Sequence, residues 1–76
     1  MTALAFSHRA NVRRLPTGSV RRQYKSADGR YIVIEVCGDA GRYWIAGRQL
    51  TGGQLFISRH KSRAAAEAAC ELHRST

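Results

Sequence analysis

Between Ser19 and His60 apolar and polar positions alternate with the period of two that suits half-buried strands. SVRRQYK leads through ADG into RYIVIEVC, CGDAGR leads into YWIAGRQL, and TGG leads into QLFISRH. A three-residue loop, Ala27-Asp28-Gly29, pairs Tyr24 with Ile32, Arg22 with Ile34 and Val20 with Val36. A two-residue loop, Asp28-Gly29, sets Lys25, Gln23 and Arg21 beside the same aliphatics instead. The first register keeps more apolar side chains together and is the one expected. With Asp39-Ala40 at the tip of the next turn, Val36 opposes Tyr43, Ile34 opposes Ile45 and Ile32 opposes Gly47. Leu55 and Ile57 join that face if the third loop carries one extra residue.

The pattern changes at Ser62. SRAAAEAACELHR has a capping serine, a run of alanine and no interior Gly or Pro, and predicts a helix. Ala65, Ala69 and Leu72 share one side of it, flanked by Ala66 and Ala68. The expected fold is α+β: a small antiparallel β-meander of three to four strands with one C-terminal α-helix packed on one face. The aliphatic face of Ile32, Ile34, Val36, Tyr43 and Ile45 is the expected seat of that helix. Residues 1–18 stand apart. Leu4, His8, Val12 and Leu15 fall at helical spacing, and Pro16 would end such a helix. The other reading is a basic N-terminal arm carrying Arg9, Arg13 and Arg14. The single α+β domain then runs over residues 19–76.

Composition sharpens the picture. A chain of 76 residues has little core to spare, so each large apolar side chain counts. Its formal net charge is +8, carried mostly by arginine, whose planar fork suits phosphate or carboxylate. Such a charge is easier to understand with an anionic partner to neutralise it. Two cysteines, Cys37 and Cys70, do not make the disulfide framework of a small secreted domain. MTALAFSHRANVRR has neither the basic start nor the apolar length of a signal peptide or membrane span. A cytoplasmic protein with reduced thiols and no membrane partner is expected.

Alternation sends Arg21, Gln23, Lys25, Tyr31, Val33, Glu35, Arg42, Trp44, Ala46, Arg48, Gln54, Phe56 and Ser58 to the face opposite the helix. Arginines interleaved with flat rings suit nucleic acid, since the forks grip phosphate or guanine edges and the rings stack on bases. The candidate nucleic-acid-binding set is therefore Arg21, Lys25, Tyr31, Arg42, Trp44, Arg48 and Phe56, aided by Arg9, Arg13 and Arg14. Two structural readings compete with it: residues 1–18 folding over this face as a second layer, or a homodimer burying Trp44 and Phe56.

RYIVIEV, GRYWIAGRQ, QLFISRH and KSRAAAEAACELH together resemble the three-stranded-sheet DNA-binding domains, the AP2 type and the arm-binding domains of phage integrases. The resemblance covers about residues 30–74 and is one of pattern rather than of motif. It implies a sheet that enters the major groove with a helix bracing it from behind, and Arg42, Trp44 and Arg48 as groove contacts.

Catalytic chemistry finds little support. Asp28 and Asp39 sit in turns, Glu67 and Glu71 are spaced i, i+4 on the helix, and Glu35 is expected to pair with Arg42 or a neighbour. Gly38-Asp39-Ala40-Gly41 lacks the spacing and the lysine of a phosphate loop. Cys70 and His73, with Cys37 and His60 elsewhere, lack the paired spacing of a zinc site, and Cys70 reads better as a small buried residue. No enzyme activity, metal or cofactor is expected. The leading expectation is a small basic module that binds DNA or RNA through its sheet. The alternative is a phage or mobile-element inhibitor or adaptor, of the anti-CRISPR or anti-restriction kind, directed at an acidic protein surface or a ribonucleoprotein.

Overall fold

The computed structural model describes residues 5–7, 11–16, 18–39 and 41–75. Five strands, β1 (Asn11–Arg14), β2 (Val20–Lys25), β3 (Tyr31–Gly38), β4 (Gly41–Leu50) and β5 (Gly53–His60), form one antiparallel sheet in chain order, followed by helix α1 (Arg63–Ser75). The α+β class, the meander and the C-terminal helix stand as expected. The sheet has one strand more than expected.

The extra strand is NVRR, part of the stretch read as a short helix or arm. Pro16 and Gly18 lie in a turn closed by Leu15 N–H to Ser19 O (2.8 Å) and Gly18 N–H to Leu15 O (3.0 Å). That turn sends β1 back along β2, so the spacing of Val12 and Leu15 is used for pairing and not for a helix. Residues 5–7 also run beside the end of β2: Phe6 bridges Ser26, and Ser7 N–H donates to Lys25 O at 2.9 Å. Leu4, His8 and Arg9 lie outside the described residues.

The β3–β4 register is the expected one at every pair, from Val36 opposite Tyr43 to Ile32 opposite Gly47. The β2–β3 register is not. Lys25 opposes Ile32, Gln23 opposes Ile34 and Arg21 opposes Val36, the arrangement set aside in favour of Tyr24 with Ile32. Turn chemistry decided it. Ser26 is buried, its backbone N–H donates to Tyr31 O (2.9 Å), and its hydroxyl accepts from Tyr31 N–H (3.0 Å) while donating to Asp28 Oδ1 (2.5 Å). Asp28 Oδ1 also accepts from Arg30 N–H at 3.0 Å, which closes a turn across residues 27–30. These bonds fix Ser26 opposite Tyr31, and a one-residue change of register sends every β2 side chain to the other face.

The largest correction concerns the helix. It packs on Tyr31, Val33, Trp44 and Ala46, not on Ile32, Ile34 and Ile45. Ala66, Ala69 and Cys70 are the helix side chains that press on this face, so the helix is rotated from the expected contact, and Leu72 is left 69% exposed. An alanine face brings little volume of its own. The space between helix and sheet is filled from the sheet side by Trp44, Tyr31 and Tyr24, with Phe6 and Ile57 at the margins. Close packing therefore favours the face with the larger rings over the more aliphatic one. Ser62 caps the helix as expected: its hydroxyl accepts Ala65 N–H at 3.2 Å. Arg63 ties the first turn to β2, its guanidinium 4.1 Å from the Tyr24 ring centroid and its Nε donating to Glu67 at 2.7 Å.

A β-bulge between Ala46 and Gly47 divides the β4–β5 pairing: Ser58 opposes Ala46 and Phe56 opposes Gly47, leaving Ile57 unpaired. Ile57 turns to the helix side, so it does not share the face of Ile32 and Ile34 as expected. Among the described residues no helix is long and apolar enough to cross a membrane.

Candidate functional site

The sheet has one face covered by α1 and one that no element covers among the described residues. Directly opposed residues share a face, so the registers place Arg13 and Arg21, then Val36 and Tyr43, in one row across the open side. Gln23, Ile34, Ile45 and Arg59 form the next row, and Lys25, Ile32, Gly47 and Phe56 the third. The centre of the face is aliphatic, on β3 and β4. Cations stand to either side of it, Arg13, Arg21 and Lys25 on β1 and β2 and Arg59 on β5. Ile32, Ile34 and Val36 are nevertheless buried, with Tyr43 and Ile45 packed against them. Arg59 sits over the Tyr43 ring, 4.6 Å from its centroid.

The electrostatics of this face are one-sided. The chain has five acidic residues. Asp28 and Asp39 are in turns, Glu67 and Glu71 are on the helix, and Glu35 is on the helix-covered side opposite Trp44. None lies on the open face. Glu35 is 5% exposed and accepts from Arg22 Nη1 (2.9 Å) and Arg42 Nη1 (3.2 Å), as its expected pairing with Arg42 or a neighbour required. The hydrogen bond to Glu35 raises the Arg22 guanidinium further above its ordinary value. Asp28 is held below the usual carboxylate range by the Ser26 hydroxyl and the Arg30 N–H. Burial pushes the Cys70 thiol up, and its sulfur donates to Ile32 O at 3.6 Å.

The expected binding set divides between the two faces. Arg21, Lys25, Phe56 and Arg13 come together on the open side. Trp44 (8% exposed) and Tyr31 (5%) are core beneath the helix, so neither ring is free to stack on a base. Arg42 is turned to the helix side and engaged with Glu35. Arg48 opposes Tyr31, also on that side, in a pocket of about 320 Å3 with Arg30, His73 and Arg74. Arg14 opposes Val20 on the same side of the edge strand, and Arg9 lies outside the described residues. Hence the groove contacts implied by the AP2-type resemblance, Arg42, Trp44 and Arg48, do not share the free face.

Tyr43 and Arg59 are the open-face residues that the sequence reading left out. The register expected for β3–β4 already put Tyr43 with the aliphatics. Arg59 depends on the bulge, which sets it opposite Ile45. Both also line a cleft of about 750 Å3 at the β3–β4 turn, where Arg42, His60 and Lys61 continue the surface around the end of the sheet and Asp39 is the one acid in the lining. Ser58 Oγ and His60 Nε2 are 2.6 Å apart as i, i+2 neighbours on β5. Among the described residues no three or more His, Cys, Asp or Glu side chains are grouped to hold a metal ion. In comparisons with known proteins, no family model, curated protein or solved structure matches the chain.

Proposed function

We propose that this protein is a small, basic, non-catalytic module that binds nucleic acid on the open face of its sheet. One observation carries the reading: Arg13, Arg21, Lys25 and Arg59 share that face, and of the five acidic residues Asp39 alone borders it, at the β3–β4 turn. Two exposed or half-exposed rings, Phe56 and Tyr43, stand among these cations. Cationic forks beside flat apolar surface match a ligand made of phosphates and bases. A second copy of the chain is a poorer occupant, because face-to-face contact sets like charges together at a cost that a polyanion removes.

The test is a binding series with single strands and duplexes of DNA and RNA over several salt concentrations. Binding should weaken as salt rises. Replacing Arg21 or Arg59 by Ala should flatten the slope of log affinity on log salt by roughly 0.7–0.9 for each phosphate no longer gripped. Absence of binding to every nucleic acid at low salt would overturn the reading and favour a protein-directed inhibitor or adaptor.

A further inference from the structure

Resting on that reading, we infer that the ligand is single-stranded, and that one unstacked base sits in the shallow groove where Phe56 crosses Gly47. Five strands spaced about 4.8 Å apart make a surface roughly 20 Å wide. The major groove of a B-form duplex is about 12 Å wide and admits a helix or a two-stranded ribbon. The open face is therefore too broad to enter a duplex groove face-on. A single strand lying across the sheet meets no such limit, and its bases are free to leave one another for the protein.

The face offers apolar surface on β3, β4 and β5 beside cations on β1, β2 and β5. Ile32, Ile34 and Ile45 line a groove of about 180 Å3, with Gly47, Leu55 and Phe56 along its β4–β5 side. Glycine suits position 47 because Ile32 and the Leu55 carbonyl fill the space beside it: a Cβ there would lie 3.1 Å from Ile32 Cγ1 and 3.2 Å from Leu55 O. Phe56, directly opposite Gly47, is 62% exposed. A ring so placed adds little to the core and leaves a flat face on which a base can stack. Arg21 lines the same groove, and its Nε is buried with no hydrogen-bond acceptor among the described residues. An unsatisfied donor beside an apolar slot suits an acceptor on a base edge, reached by a small turn of the side chain. Tyr43 lies four residues from Gly47 along β4, roughly 13 Å away, and offers a second ring to the same strand.

The experiment measures affinities of the full chain for single-stranded DNA, single-stranded RNA and a duplex of matched length, at one low salt concentration. It includes Phe56→Ala and Phe56→Tyr, each checked for a native-like amide spectrum. The expected result is tighter binding of one or both single strands than of the duplex. Phe56→Ala should weaken the preferred single strand roughly 5- to 150-fold and Phe56→Tyr should restore it. Equal or tighter duplex binding, or single-strand affinity untouched in Phe56→Ala, would overturn this inference while leaving nucleic-acid binding in place. No binding in any arm would remove both.

Discussion

The two faces of this sheet carry similar numbers of large side chains and use them in opposite ways. On the covered face the rings of Trp44, Tyr31 and Tyr24 fill the gap beneath a helix whose contact residues are Ala66, Ala69 and Cys70. On the open face Ile32, Ile34 and Val36 are shielded by neighbouring side chains of the same layer, while Phe56 remains in solvent. Charge differs as well. Glu35 on the covered side is matched by Arg22 and Arg42, whereas no salt bridge is formed among the described residues by Arg13, Arg21, Lys25 or Arg59 on the open side. Burial of its rings thus distinguishes the covered face, and the exposed Phe56 and its neighbouring cations distinguish the open one.

Truncating a ring on each side gives the largest contrast. Trp44→Ala should destabilise by about 3–5 kcal/mol. That approaches the whole stability of a domain this size, about 4–11 kcal/mol, so the variant should be largely unfolded or aggregated in thermal melts. Phe56→Ala should cost less than about 1 kcal/mol and keep a cooperative melt. Equal destabilisation in the two variants would break the distinction between the faces.

A smaller effect follows from the matched charge. Glu35→Gln keeps the shape of the side chain but removes its charge and one of its two acceptor oxygens, so one of the two arginines faces an amide donor instead. Those arginines retain 43% and 64% side-chain exposure, so water takes up part of the deficit. The expected cost is about 1–2 kcal/mol in chemical denaturation, with nucleic-acid affinity unchanged. A fall in affinity would bring the covered side into the binding surface.

The sequence made one half of this comparison legible and obscured the other. The aliphatic run of β3 and the Asp39-Ala40 turn sufficed for every β3–β4 pair, because both sides of that hairpin alternate strongly. Capping by Ser62 and burial of Cys70 were likewise readable from local chemistry. The β2 register was not, since counting apolar pairs favours Tyr24 beside Ile32, and the hydrogen bonds of Ser26 and Asp28 outweigh that count. β1 was hidden because NVRR does not alternate and is recruited by its turn with β2. Which face takes the helix depends on volume against an alanine surface, a tertiary property that hydropathy does not express. Once the helix changes sides, Trp44, Arg42 and Arg48 leave the candidate interface and Tyr43 and Arg59 enter it.

The thiols give the finest contrast. Cys70 is fully buried between helix and sheet with its pKa raised by desolvation, and Cys37 is half-buried near the Arg22 guanidinium (3.8 Å). Alkylation at neutral pH should label Cys37 first and reach Cys70 only as the domain opens. Faster labelling of Cys70 would mean that the helix does not stay on its face.

The most direct test of the account is an amide-resolved titration of the intact protein with a short single-stranded oligonucleotide at low salt. Shift changes should concentrate at Arg21, Gln23, Gly47, Phe56 and Arg59, with Ala66, Ala69 and Cys70 unmoved. Changes centred on the helix with a silent open face would contradict it.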